Sequence, residues 1–218
     1  MSLNIIGWMM KISSDFIIEK LDELIPNPKC ELEYNKDYEL LIATVLSAQS
    51  TDKRVNMATN ILFSKYDLND ISNANLKDIE SIIKPVGTYK RKAEYIKTIA
   101  NKLIIDYNGK VPNNREYLES LPGVGRKTTN VVLGNLFDVP AIAVDTHVDR
   151  ISKRLGLAKE KDDVLLVEKK LMKAFPKDKW IRLHHQLVLF GRYTCKSKNP
   201  LCDNCPFINL CKYSSNKK

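Results

Sequence analysis

Lys127 and Asp145 are the two side chains whose types and settings could together carry out covalent chemistry, and a glycine turn precedes the first of them. Leu121-Pro122-Gly123-Val124-Gly125 reads as a tight turn with glycine at the two places where the backbone needs most freedom. The amides of Gly123, Val124 and Gly125, with those of the helix start that follows, make an anion site suited to a phosphate. Lys127 falls in the first turn of an apolar helical run, where the helix dipole disfavours an ammonium charge and favours a neutral, nucleophilic amine. Asp145 stands at the mouth of the next helix. A phosphate clamp, an activatable amine and a carboxylate point to covalent chemistry on nucleic acid.

A second group of residues has the chemistry of a metal site. Of the 5 cysteines, Cys195, Cys202, Cys205 and Cys211 follow the spacing C-x6-C-x2-C-x5-C. Four thiolates this close repel one another unless a cation or a cluster holds them. Structural zinc more often uses two Cys-x-x-Cys pairs separated by a longer span, and only one such pair is present. On spacing alone, zinc and an iron–sulfur cluster both stay open. Cys30 is left over and reads as a buried, inert thiol.

The elements that must position these groups read as helices almost throughout. Leu40, Leu41, Val45 and Leu46 form an apolar stripe with Asp37 as a plausible cap. Tyr89 to Tyr107 carries Ala93, Ile96, Ala100, Leu103 and Ile104 on one face and ends at Asn108-Gly109. Asn114 can cap a short helix containing Tyr117 and Leu118. Gly125 to Phe137 makes the next helix, with Val132, Leu133 and Leu136 inward, and Thr146 can cap another that runs to Leu155. Later helices span Asp163 to Phe175 and Lys179 to Arg192. The best strand candidate, Ala141 to Val144, is too short to make a sheet by itself, so the fold class is all-α.

Composition sets limits around this picture. At 218 residues, 44% hydrophobic and 28% charged, the chain has material for a sizeable core and is not a disordered one. The net charge of +9 favours a polyanionic partner, although an A+T-biased genome also inflates lysine. No apolar run approaches the roughly 18 residues needed to cross a bilayer. The short apolar start, Ile5, Ile6, Trp8, Met9 and Met10, lacks the basic region and cleavage site of a signal peptide. It reads as an extension or an upstream start ahead of Met10, and the expected location is the cytoplasm.

The stretch LPGVGRKT…VDTH resembles the helix-hairpin-helix DNA glycosylases, and within them the endonuclease III family. ELLIATVLSAQSTD (from Glu39), YKRKAEYI (from Tyr89), HHQLVLFGRYTC (from His184) and the C-terminal cysteines resemble that family in the same order, from about Tyr38 to Cys211. The resemblance implies a two-lobed fold. Residues 30–139 would form a six-helix lobe containing the helix-hairpin-helix. Residues 1–29 and 140–218 would form a discontinuous helical lobe with a 4Fe–4S cluster loop at 195–211, ligated by Cys195, Cys202, Cys205 and Cys211. Lys127 and Asp145 would then face a cleft between the lobes.

The implied activity is that of a bifunctional glycosylase and apurinic/apyrimidinic lyase in base excision repair. It would remove oxidised pyrimidines from duplex DNA as a monomer. By resemblance Lys127 attacks C1′ of an extruded nucleotide and forms an imine, after which the strand is cleaved by β-elimination. Asp145 stabilises charge at C1′ and helps take the lysine proton. Gln49 fills the gap left by the extruded nucleotide. Lys196 and Lys198 are candidates for another phosphate, and His147, His184 and His185 read as structural hydrogen-bonding groups. The sequence departs from the family at Thr88, where a bulky apolar wedge is usual.

Four rivals share parts of this pattern. The superfamily's adenine glycosylases carry a long C-terminal recognition domain and lack the lysine. Its 8-oxoguanine enzymes share the lysine but not the cluster cysteines. A non-catalytic helix-hairpin-helix protein would need neither Lys127 nor Asp145. Ferredoxin-like carriers are usually small and acidic, unlike this basic chain.

Overall fold

Helix follows the apolar periodicity along most of residues 12–215, the part of the chain that the computed structural model describes. The apolar start expected at Ile5 to Met10 lies outside the described residues. In chain order the helices are α1 (Ser14–Leu24), α2 (Asp37–Leu46), α3 (Asp52–Lys65), α4 (Leu68–Asn73), α5 (Leu76–Ile83) and α6 (Tyr89–Tyr107). They continue with α7 (Arg115–Ser120), α8 (Arg126–Phe137), α9 (Thr146–Arg154), α10 (Val164–Ala174), α11 (Trp180–Tyr193) and α12 (Lys212–Ser215). No strand occurs among the described residues. Ala141 to Val144, the strand candidate, is a buried segment that belongs to no helix or strand.

The chain divides into two compact units, Lys29–Ala141 and the pair Met1–Pro28 with Ile142–Lys218. The first holds α2 to α8, seven helices where six were expected. The six-residue α4 is too short to show periodicity and is fixed instead by Asp67, whose carboxylate accepts the Asp70 amide at 2.8 Å. At its centre α2 is buried on every side from Tyr38 to Leu46, which its nearly unbroken apolar sequence requires. α2 packs on α3, α6 and α8, and α4 and α5 lie along α6. Asp37, expected to cap α2, is its first residue. Its two oxygens accept the Tyr38 amide at 2.8 Å and the Val111 amide at 2.8 Å.

In the second unit α11 packs on α1 and α9, and α10 on α9. Asp22 of α1 pairs with Arg182 at 2.6 Å and accepts from Gln186 at 2.8 Å, both on α11. Gly191 lets α11 approach α9 closely, since a Cβ there would lie 2.7 Å from that of His147. Its core gathers Ile17, Leu21, Val148, Ile151, Leu187 and Phe190, with Phe207 of the cysteine loop edge-on to Phe190 at 5.5 Å.

Candidate functional site

The glycine turn joins α7 to α8. Asn114 caps α7 by accepting the Tyr117 amide at 3.0 Å, as expected. Arg115 then ties the two helices together, donating to Asn130 of α8 at 2.8 Å. Gly123 is required twice over. Its φ is +75°, and a Cβ would lie 2.5 Å from the Tyr95 ring and 3.3 Å from Val45. Gly125 is different: it has an ordinary φ of −111° and open space where a Cβ would go. The amides of Gly123 and Gly125 make no hydrogen bond among the described residues. Val124 departs from expectation, because its side chain is buried and its amide is committed to the Leu121 carbonyl at 3.1 Å.

Gly125 is the N-cap of α8 and, having no side chain, makes no side-chain capping bond to the first turn. Lys127 is the second residue of that turn. Its side chain is exposed and makes no hydrogen bond or ion pair among the described residues. In the same unit, Gln49 and Thr88 both adopt left-handed backbone, with φ of 58° and 56°, and both are exposed. Their loops are joined, for the Gly87 amide donates to Ser50 Oγ at 3.0 Å.

Asp145 belongs to the other unit, where the buried segment Ile142 to Val144 delivers it to the start of α9. Asp145 itself, rather than the expected Thr146, is the N-cap. Its Oδ1 accepts the His147 amide at 2.9 Å and the Val148 amide at 2.8 Å. Both bonds fall on one oxygen, which leaves Oδ2 unbonded among the described residues. The cap geometry needs an extended residue carrying the acceptor, and Asp145 with ψ −174° meets it. His147 Nδ1 lies 3.2 Å from Arg150, and burial holds its pKa below the ordinary value. Burial does the same to His185.

Cys195, Cys202, Cys205 and Cys211 are all free thiols and line one pocket with Arg154, Leu201, Ile208 and Tyr213. Burial pushes the Cys205 thiol pKa up, and the neighbouring Cys195, Cys211 and Cys202 add to it. Among the described residues no group of three or more His, Cys, Asp or Glu is gathered so as to hold a metal ion. Lys196 and Lys198 are exposed in this loop. Cys30, expected to be buried, is only half-buried at the edge of the first unit's core.

Three positions escaped the sequence reading. Arg150 and Arg154 of α9 bind the Cys195 carbonyl, and Arg154 also donates to Cys195 Sγ at 3.3 Å and to the Lys196 carbonyl at 2.7 Å. Their i, i+4 spacing was a readable sign of a shared face. Lys92 is buried, and its Nζ donates to the carbonyls of Leu46 and Ala48 at 2.8 and 2.5 Å. A lysine four residues before Ile96, on the apolar stripe of α6, was the available signal.

The described geometry has counterparts among known proteins. Residues 42–177 match the family described as HhH-GPD superfamily base excision DNA repair protein, which sets the class. Endonuclease III of Bacillus subtilis is 47% identical over 91% of this chain and 91% of its own. The Escherichia coli K12 enzyme is 43% identical over 90% and 93%. A solved non-covalent endonuclease III–DNA complex superposes with a TM-score of 0.90 at 46% identity, covering 93% of this chain and 95% of the other. A trapped endonuclease III–DNA covalent intermediate with an estranged adenine gives 0.89 at 46% identity, covering 93% and 96%. The chain belongs to the endonuclease III family of the HhH-GPD superfamily.

Proposed function

We propose that this protein is a bifunctional DNA glycosylase and apurinic/apyrimidinic lyase, acting as a monomer in the cytoplasm on oxidised pyrimidines in duplex DNA. The observation that carries the reading is Lys127. It presents an unpartnered, exposed amine in the first turn of α8, behind a glycine turn whose Gly123 and Gly125 amides are free to receive a phosphate. No helix among the described residues is long and apolar enough to cross a membrane.

In this mechanism the Lys127 Nζ lone pair forms a bond to C1′ of an extruded nucleotide as the bond from C1′ to the base breaks. The base departs with that electron pair and takes up a proton. Asp145 faces the positive charge developing at C1′ and accepts the proton lost by the amine. The unbonded Oδ2 suits that work, while Oδ1 continues to cap α9. Ring opening gives an imine. Loss of a C2′ proton then expels the 3′ phosphate, and water hydrolyses the imine to restore the lysine. Gln49 hydrogen-bonds the orphaned opposite base. Gly123, Gly125, Lys196 and Lys198 grip phosphates, and Thr88 lies against the duplex.

The two compact units correspond, on this reading, to the helix-hairpin-helix lobe and the cluster-bearing lobe. Cys195, Cys202, Cys205 and Cys211 would hold a 4Fe–4S cluster. Four thiols around a pocket, rather than converged on a point, suit a group whose four irons each take one thiolate. Bound there, the cluster would supply a crosslink among the four cysteines of loop 195–211. Arg154, donating to Cys195 Sγ at 3.3 Å, would help hold that ligand in place.

The test is borohydride reduction during incubation with a duplex containing thymine glycol. Wild-type protein should be trapped on the strand, and Lys127→Ala should bind the duplex but trap nothing and cut nothing. A borohydride-stable adduct with Lys127→Ala would assign the nucleophile to another amine.

A further inference from the structure

Lys92 is 4% exposed, and no other lysine among the described residues is buried. It sits one turn into α6, and two loops depend on it. Its Nζ donates to Leu46 and Ala48, the carbonyls at the C-terminal end of α2 that lead into Gln49. A cation is favourable at a helix C-terminus, where carbonyls lack intrahelical partners. Its backbone amide makes the ordinary first bond of α6, to the carbonyl of the N-cap Thr88 at 3.2 Å, so the Nζ bonds tie the helix start that carries Thr88 to the end of α2. One residue is therefore bonded to both loops whose tips are Gln49 and Thr88.

Ser50 makes a second tie between the same loops, accepting the Gly87 amide at 3.0 Å. Gln49 is thus bracketed, with Ala48 held on one side and Ser50 on the other. It needs such support, since a positive φ is unfavourable for any residue with a Cβ. Its side chain makes no hydrogen bond among the described residues and is exposed. The backbone beneath it is fixed while the amide group is left available.

We propose that Lys92, with Ser50 as the second tie, is a positioning residue that locks the Gln49 and Thr88 loops into one preset element, so that the Gln49 amide meets the duplex already placed. The inference rests on the reading of Gln49 given above. Presetting removes the cost of ordering the loop on binding. It matters more here because Thr88 offers only one methyl group against the base stack.

The experiment compares the affinity of the full-length protein for two duplexes, one intact and one carrying a tetrahydrofuran abasic analogue. The variants are Gln49→Ala, Ser50→Ala, Lys92→Met, and each of the latter two combined with Gln49→Ala. Ser50→Ala and Lys92→Met should each lower the preference for the lesion about fivefold to tenfold, the scale of one well-placed hydrogen bond. Neither should lower it further once Gln49 is alanine. A merely structural role would weaken both duplexes alike and persist in the Gln49→Ala background, and that result would overturn the proposal. So would unchanged preference in Ser50→Ala and Lys92→Met alongside a loss in Gln49→Ala. If Gln49→Ala itself keeps full preference, the fault lies with the role given to Gln49, and the inference falls with it. Should Lys92→Met not fold, the Ser50→Ala pair decides alone.

Discussion

Asp145 holds two roles on two oxygens, and a pair of substitutions can separate them. Oδ1 accepts the amides of His147 and Val148 and caps α9, while Oδ2 stays unbonded among the described residues. Asparagine keeps a carbonyl oxygen where Oδ1 is, so Asp145→Asn should retain the cap and lose only the charge. Alanine loses both. Removing an N-cap acceptor costs about 1 kcal/mol, which for a chain of this size lowers the melting temperature by about 2–4 °C. Removing the carboxylate from a developing cation should cost at least about 100-fold in excision, or about 2.7 kcal/mol of barrier. The expected pattern is therefore asymmetric. Both variants lose excision in single-turnover assays on a thymine glycol duplex, but only Asp145→Ala loses the 2–4 °C in a thermal melt. Near-normal excision by Asp145→Asn would reduce Asp145 to a helix cap. A melting loss in Asp145→Asn equal to that in Asp145→Ala would mean that Oδ1 is not the capping atom.

Three further outcomes can be measured independently. Gly123→Ala should destabilise the protein by about 2–4 kcal/mol in a denaturant titration, since it combines a positive φ with a 2.5 Å clash against Tyr95; Gly125→Ala, which meets open space, should cost no more than about 1 kcal/mol, the penalty of alanine at an N-cap, and weaken duplex binding. Protein purified anaerobically should be yellow-brown and contain about four irons per chain, whereas colourless protein with about one zinc would remove the cluster assignment. Burial, with help from Arg91, depresses the Lys92 pKa to about 8, below the 10.5 of the free side chain. The unfolded chain therefore binds the extra proton between those values, and the stability contributed at Lys92 rises with pH across that window. The deficit of Lys92→Met in thermal melts should accordingly grow from pH 7.5 to pH 9.5, and a constant deficit would contradict the depressed value.

What the sequence made legible follows from how local each signal is. The stripe of α6 and its end at Asn108-Gly109 depend on residues three or four apart, and the helix forms over the residues expected, Tyr89–Tyr107. The glycine turn was readable for the same reason, since a left-handed Gly123 and a capless Gly125 are properties of five consecutive residues. Where two neighbouring residues could each do one job, sequence did not choose correctly. Thr146 and Asp145 are both capping types, and only the backbone angles at the end of the buried segment Ile142 to Val144 assign the cap to Asp145. Gln49 and Thr88 mark the limit of local reading. Neither residue type calls for left-handed backbone, and the conformation arises from bonds that span 37 residues from Gly87 to Ser50 and 44 from Lys92 to Ala48. A lysine on an apolar stripe signals that something buried must receive it, but which carbonyls do so is decided by the packing of α6 on α2. The residues expected to meet DNA were therefore visible as types in the sequence, whereas the long-range bonds that fix their loops appear only in the fold.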